Sequence, residues 1–154
     1  MLQDKQKAKN RCIFLSWHTT YRLIQYFIIY NRIWLISCEF NTNTAAIGEA
    51  DKDKPNREAV YDGGAFSCTG NLDNTYFYDC DFTNCKAWGR GGAVNIGNNQ
   101  SAYNMGYIKF ENCDFSGCES LNGAGGGVMI RDGNVEYIWF ENCTFTNMTG
   151  YSHC

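Results

Sequence analysis

The feature that most constrains the fold of this sequence is a twelve-residue segment that occurs three times, at 75–86, 108–119 and 138–149. The copies align without gaps, about 33 and 30 residues apart, on the pattern Phe-x-[Asn/Asp]-Cys-x-Phe-x-x-Cys. A repeat of this period is typical of folds that stack one structural unit. The aligned columns are Phe77, Phe110 and Phe140; Asp79, Asn112 and Asn142; Cys80, Cys113 and Cys143; and Phe82, Phe115 and Phe145.

A second unit alternates with the first along the chain. It reads Gly-Gly-[Ala/Gly]-apolar and occurs at 63–66, 91–94 and 125–128. Small residues at these positions let the backbone bend close to the core. Because the glycine runs recur with the repeat, we interpret them as part of the fold and not as phosphate-binding loops.

Alternation of side chains shows how the first unit folds. Apolar and polar residues alternate over 108–111, as in a strand with one face in the core. The alternation shifts by one residue at Asn112, so that Cys113 and Phe115 face inward. Asn and Asp tolerate the left-handed backbone conformation that a sharp corner needs. We therefore predict a strand, a corner and a second strand in each copy, with the corners at Asp79, Asn112 and Asn142.

Three short strands per repeat, stacked about 4.8 Å apart, predict an all-β chain. The specific prediction is a right-handed parallel β-helix, or solenoid, of about three to four coils over residues 59–154. Its handedness follows from the general rule for parallel crossovers. The chain stops at 150–154, before another Gly-Gly strand. We therefore expect the repeats to be truncated at the C-terminus, with an open end that favours self-association.

The residues before the repeats divide into two segments. Residues 1–40 begin with basic residues and continue with large apolar ones, whereas residues 41–58 are polar and read as a linker. Three interpretations of residues 1–40 stay open: a secretory signal or membrane anchor, a folded cap on the repeats, and a mis-assigned start of the gene product.

The combined repeat resembles that of a known family. Gly-Gly-Ala-apolar at 63–66 and 91–94, together with Phe-Glu-Asn-Cys at 110–113 and 140–143, is similar to the repeats of the polymorphic outer membrane protein type. Such repeats also occur in large surface proteins of anaerobic protists and in other right-handed β-helix proteins. The resemblance spans about residues 61–149. It implies a cell-surface or secreted location and a role in adhesion, and it implies no defined catalytic residues.

The repeat also explains most of the nine cysteines. Cys80, Cys85, Cys113 and Cys118 have a four-residue gap that differs from the usual zinc spacing, and Met148 stands at the position equivalent to Cys118. We favour thiols that pack in the core, since free cysteine behaves as a small apolar residue. Disulfides between neighbouring coils are the second alternative. We predict no metal and no cofactor.

Four residues are candidates for binding. Asp81 and Asp114 should face outward one coil apart, near Lys109 and Glu111, where they could contact a cation or a sugar; a solvated strand face explains them equally well. Loops on a rigid scaffold often carry function, which adds Asn99 and Tyr103.

Glycosylation sequons begin at Asn99, Asn142 and Asn147. Asn99 is the best acceptor of the three if the protein is exported, because it lies in a loop. We expect Asn142, which occupies the corner column, to be packed.

Other classes of function find little support in the sequence. The net charge is −3 and Lys and Arg form no stripe, which argues against nucleic acid. His18 and His153 match no catalytic or metal-binding spacing. We predict a non-catalytic surface or secreted segment for adhesion or ligand display, with a glycan or a host or cell-surface protein as partner. The N-terminal segment would be its only contact with a membrane. The alternative is a fragment of a polysaccharide lyase or hydrolase of the β-helix class.

Overall fold

A computed structural model describes residues 20–29, 32–45, 62–68, 72–97, 104–131 and 134–151. Regular structure within these ranges is entirely β-strand, and most of the pairing is parallel, so the predicted all-β class is confirmed. The strands are β1 (Thr20–Ile29), β2 (Arg32–Asn41), β3 (Thr44–Ala45), β4 (Phe66–Cys68), β5 (Leu72–Tyr78), β6 (Asp81–Thr83), β7 (Lys86–Ala87), β8 (Val94–Ile96), β9 (Asn104–Glu111), β10 (Asp114–Ser116), β11 (Glu119–Ser120), β12 (Val128–Ile130), β13 (Asn134–Glu141), β14 (Thr144–Thr146) and β15 (Thr149–Gly150).

Each repeat contributes one strand to each of several parallel ladders. We call the strands of one repeat a layer. The ladders run β5-β9-β13, β6-β10-β14, β3-β7-β11-β15 and β4-β8-β12, and β2 continues the first two. Equivalent residues of successive repeats are direct partners. Phe110 lies opposite Phe77 and Phe140, and Phe115 lies opposite Phe82 and Phe145.

Two corners divide each layer, where the sequence had indicated one. Asp79, Asn112 and Asn142 have φ angles of 51°, 53° and 51° and turn the chain from the first ladder into the second. A second left-handed residue follows the second ladder, at Asn84 (φ 52°), Gly117 (φ 64°) and Asn147 (φ 55°). Gly, Asn and Asp are the residues that adopt this conformation most readily. Their recurrence five residues after the first corner is a signal that the sequence contains.

A further layer lies ahead of the three recognised copies. In β2, Leu35 pairs with Phe77 and Phe40 with Phe82, while β3 pairs with β7. Residues 32–45 thus belong to the stack, although sequence analysis divided them between the apolar segment and the linker. The copy was missed because Leu35 replaces Phe, and Ser37 (φ 51°) replaces the corner Asn or Asp. On its other edge, β2 pairs with β1 in the antiparallel direction.

Rows of phenylalanine rings fill the core between the ladders. Phe77 and Phe110 stack with centroids 4.4 Å apart and planes 6° from parallel, and Phe82 and Phe115 stack at 4.6 Å and 3°. Between the two rows the rings meet edge to face, as Phe110 and Phe115 do at 5.8 Å. Face-to-face stacking is not the preferred geometry of an isolated aromatic pair. Here the strand register holds the rings one above another.

The inward positions of the last layer are partly open. Ile138, Phe140 and Phe145 retain 47%, 42% and 46% of their surface, whereas Phe110 and Phe115 are fully buried. The difference arises because the described residues place no further layer over β13 and β14.

Glycines are required where successive layers approach most closely. Gly63, Gly91 and Gly125 share a left-handed φ of 64–76°. A Cβ atom on Gly92 would collide with the carbonyl oxygen of Gly126 and lie 2.6 Å from the backbone nitrogen of Glu119. These contacts are with backbone and cannot yield, so the Gly-Gly unit fixes the approach of one layer to the next.

Replacing Phe115 with Ala should lower the free energy of unfolding by about 3–5 kcal/mol, since it deletes a buried ring and leaves a cavity. The same change at Phe145 removes an aligned ring that is already 46% exposed, and should cost about half as much. Denaturant unfolding of both variants measures the difference. Phe115 is stacked between Phe82 and Phe145. Equal losses of unfolding free energy in the two variants would show that this second stacking partner adds no stability.

Substitution of Gly92 by Ala should lower the free energy of unfolding by about 1–3 kcal/mol, because backbone atoms occupy the space of the new methyl group. Gly127 is the matched control. A Cβ there meets the flexible Met148 side chain at 3.1 Å, and Ala occupies the equivalent positions 65 and 93. We expect Gly127→Ala to stay within about 1 kcal/mol of the unmodified chain. Thermal unfolding followed by circular dichroism compares them.

Candidate functional site

The outward side of the first ladder carries a set of aromatic residues. Side chains alternate along a strand, so every second position of this ladder points away from the core. The register brings the outward residues into rows along the stack. We call this surface the aromatic face and define it by Trp34, Tyr76, Tyr78, Tyr107, Tyr137 and Trp139.

One row of the aromatic face is interrupted. Trp34, Tyr76, Lys109 and Trp139 are successive partners, so that a lysine stands where the other three layers have a ring. Trp34 and Tyr76 lie nearly parallel, with centroids 6.0 Å apart. In the adjacent row, Tyr107 and Tyr137 stack at 4.8 Å and 11°.

An open depression of about 500 Å³ lies at the interruption. Its walls include Tyr76, Tyr107, Tyr137 and Trp139, and Lys109 and Glu141 supply charge. Trp139 is 58% exposed and Tyr137 is 54% exposed, so both rings are accessible from solvent. Concave sites with aromatic walls and a few polar groups are the usual form of small-ligand sites.

The charged groups at the depression are paired with one another. The Nζ of Lys109 lies 2.6 Å from Oε2 of Glu111 and 2.8 Å from Oε2 of Glu141. Hydrogen bonds to these two carboxylates raise the pKa of Lys109. One ammonium and two carboxylates leave a net charge of one negative. The group can donate and accept hydrogen bonds while keeping a fixed geometry.

The predicted pair of aspartates belongs to a row on the next ladder. Asp81 lies opposite both Glu39 and Asp114, and Asp114 lies opposite Thr144. Thr144 donates its hydroxyl to Oδ1 of Asp114 at 2.6 Å. Partial burial, followed by the charges of Asp114, Glu39 and Asp79, raises the pKa of Asp81. Lys109, which sequence analysis placed near this pair, forms its ion pairs with Glu111 and Glu141.

The other two candidates, Asn99 and Tyr103, lie outside the described residues, so their placement stays a prediction. Among the residues that are described, no group of three or more His, Cys, Asp and Glu side chains could hold a metal ion. These residues also include no helix long and apolar enough to span a bilayer.

Two rows of thiols accompany the phenylalanines in the core. Cys80, Cys85, Cys113, Cys118 and Cys143 are free thiols, and the first four of them are buried, as is Cys38. Four of these buried thiols, those of Cys80, Cys85, Cys113 and Cys118, donate to a carbonyl of the preceding layer. Cys113 Sγ reaches Phe77 O at 3.5 Å, and Cys118 Sγ reaches Phe82 O at 3.3 Å. Hydrogen bonds with Cys113 and Cys38, together with burial, raise the pKa of Cys80. The buried thiols therefore pack in the core as small apolar groups.

The corner side chains form a polar row on the surface. Asn142 Nδ2 donates to Asn112 Oδ1 at 3.3 Å, and Asn112 Nδ2 donates to Asp79 Oδ1 at 3.2 Å. The expectation that Asn142 is packed was wrong, because Asn142 belongs to the last layer and is exposed. Its amide nitrogen is nevertheless held by the neighbouring layer.

The aromatic face was not among the predicted site residues. Alternation alone indicates outward rings at Tyr76, Tyr107 and Tyr137, so that part of the signal is in the sequence. The depression itself depends on the ion pair that Lys109 forms with Glu141 of the neighbouring layer. The spacing of residues in the sequence does not indicate this contact. Comparisons with protein-family models, with curated proteins and with solved structures found no match. The function must therefore be argued from the chemistry of this surface.

Replacing Asp81 with Asn should raise the free energy of unfolding at pH 7 by a few tenths of a kcal/mol, because like charges on adjacent strands repel. The folded-state pKa of Asp81 lies above its ordinary value of 3.8. The penalty from its charge is thus absent at low pH and appears as pH rises through the folded pKa. The gain in Asp81→Asn should therefore disappear below about pH 4.

Thermal unfolding of both chains between pH 3 and pH 7 tests this. Glu119→Gln is the control of opposite sign, because Glu119 accepts an ion pair from Lys86 at 2.8 Å. Loss of this ion pair in Glu119→Gln should slightly lower the free energy of unfolding at pH 7. An Asp81→Asn gain that is the same at both ends of the range would contradict the electrostatic explanation.

Proposed function

We propose that this chain is a right-handed parallel β-helix segment of a surface or secreted protein, and that it acts by binding and display without catalysis. Three observations support the fold. Equivalent residues pair in parallel in four ladders, the corners recur at the same positions in every layer, and the glycine units stack on one another. Stacked identical residues are what this architecture requires of its sequence.

The single observation that carries the binding role is the aromatic face with its depression. Trp139, Tyr137 and Tyr107 expose 42–58% of their surface on the outward side of the first ladder. Exposed aromatic side chains that cluster beside charged groups are typical of recognition surfaces. The ladders hold the rings in place, so little conformational entropy is lost when a ligand binds.

A non-catalytic role agrees with the state of the nearby carboxylates. Glu111 and Glu141 both hold the Lys109 ammonium, and Asp114 accepts the hydroxyl of Thr144. The row formed by Glu39, Asp81 and Asp114 is the feature that favours the rival proposal, a fragment of a polysaccharide lyase or hydrolase. That activity would require Asp81 and Asp114 to act as a pair on one substrate.

The resemblance of the repeats supports a location at the cell surface or outside the cell. Asn147 provides an exposed sequon at the second corner of the last layer. Free thiols are uncommon in oxidising compartments. In this chain the thiols of Cys80, Cys85, Cys113 and Cys118 have no exposed surface, which protects them from oxidants.

A panel of immobilised ligands tests the binding role. The full chain is applied to neutral and acidic polysaccharides and to purified cell-surface proteins, and bound ligands are checked for cleavage. We expect retention of one ligand class without turnover, and loss of retention in Trp139→Ala. Turnover that disappears in Asp81→Asn would favour the hydrolase or lyase. Absence of retention on every ligand would contradict the proposal.

The open inner positions of the last layer also support self-association as a proposed property. Phe140 and Phe145 present stacking faces, and within the described residues β13 and β14 are each paired on one edge only. We expect sedimentation velocity to show association that grows with concentration. Phe145→Lys should reduce it, because the charge would be buried on association.

Tyr78→Lys is the matched control for this experiment. Tyr78 is 41% exposed on the flank of the stack, away from the last layer, so its replacement should leave association unchanged. Circular dichroism verifies that both variants keep the β-structure. A monomer at every concentration would contradict end-to-end association.

A further inference from the structure

We propose that the depression at Lys109 binds one hexopyranose residue of a neutral glycan between the side chains of Tyr76 and Trp139. This inference rests on the proposed binding role of the aromatic face and specifies its ligand. The argument depends on the spacing of the rings, on the chemistry of the rim and on its charge.

Ring spacing defines a slot at the interrupted row. Adjacent strands lie about 4.8 Å apart, so Tyr76 and Trp139, two layers apart, are separated by about 9.6 Å. In the neighbouring row, Tyr107 and Tyr137 are only one layer apart, and their rings stack with centroids 4.8 Å apart. At Lys109 the row has no ring, and the open volume lies there. A flat six-membered body would fill the missing position with one aromatic face on each side.

The rim chemistry distinguishes among flat ligands. A pyranose presents C–H groups from its faces, which suit aromatic walls, and hydroxyl groups from its edge. Hydroxyl groups need both donors and acceptors, and at the wall of the depression Lys109 supplies donors while Glu141 supplies acceptors. A purely aromatic ligand would fill the slot but would displace water from these charged groups without offering hydrogen bonds in its place, which is unfavourable.

Charge excludes an acidic ligand from the slot. The two negative charges of Glu111 and Glu141 exceed the single positive charge of Lys109. On the next ladder, the row of Glu39, Asp81 and Asp114 adds further negative charge. An anionic sugar or a phosphate would meet net repulsion. A cationic ligand would have to displace Lys109 from two ion pairs. The neutral polyhydroxylated ring is the class that satisfies every group present.

The test uses the full chain and soluble tetrasaccharides. Cellotetraose, maltotetraose and mannotetraose are titrated by calorimetry and by tryptophan fluorescence, with tetragalacturonate as the anionic probe. We expect at least one neutral tetraose to bind, and tetragalacturonate to bind at least tenfold more weakly. Trp139→Ala and Tyr76→Ala should each weaken binding at least tenfold. Tyr151→Ala, which removes an exposed ring from another part of the last layer, should leave binding unchanged.

A slot-filling variant separates binding from folding. Lys109→Tyr would complete the row of rings and occupy the position of the sugar. It should keep the β-structure and the melting temperature while abolishing binding of the tetraose. The inference is overturned if no neutral tetraose binds, if tetragalacturonate binds equally well, or if Lys109→Tyr binds as the unmodified chain does. Retention of a protein ligand on the panel without any tetraose would overturn this inference alone and leave the binding role intact.

Discussion

Parallel pairing in register, with one repeat directly above the next, is the constraint on which the rest of this structure depends. It places like residues on like residues at the spacing of adjacent strands. Apolar rows gain from this arrangement, as the stacked Phe77–Phe110 and Phe82–Phe115 rings illustrate. Charged rows lose by it, since Glu39, Asp81 and Asp114 are brought into line by the same register. The ladders thus decide which residue types each position tolerates.

The same constraint separates the roles of inward and outward positions. Inward residues must fit a narrow core, which explains why small apolar thiols and planar rings recur there. Outward residues are held in rows but are free to vary in type. At Lys109 this freedom replaces a ring with a charged chain that reaches two glutamates. A regular stack of repeats acquires one distinctive place on its flank because a single outward residue departs from its row.

Much of the fold could be predicted from the sequence because the register repeats. The Phe and Cys columns, the Gly-Gly units and the first corner all follow from alignment and alternation. The layer at 32–45 could not be found by that route, because its residue types differ from those of the repeat. Leu35 fills the inward position that holds Phe in the other layers, and Ser37 adopts the left-handed corner conformation that Asn or Asp adopts elsewhere. For the site, outward placement of Asp81 and Asp114 follows from alternation, whereas the partners of Lys109 depend on side-chain reach between layers.

Strand β1 has a consequence for how such a stack could grow. Its antiparallel pairing occupies the edge of β2 that faces away from the other layers. Among the described strands, β2 is therefore paired on both edges, whereas β1 and β13, at opposite ends, are each paired on one. Two copies that meet through β13 would use identical surfaces and close on themselves as a symmetric pair. An arrangement of this kind terminates after one step, whereas head-to-tail addition, which would generate an unlimited fibre, would have to pair β13 of one copy with the antiparallel strand β1 of the next instead of with β2.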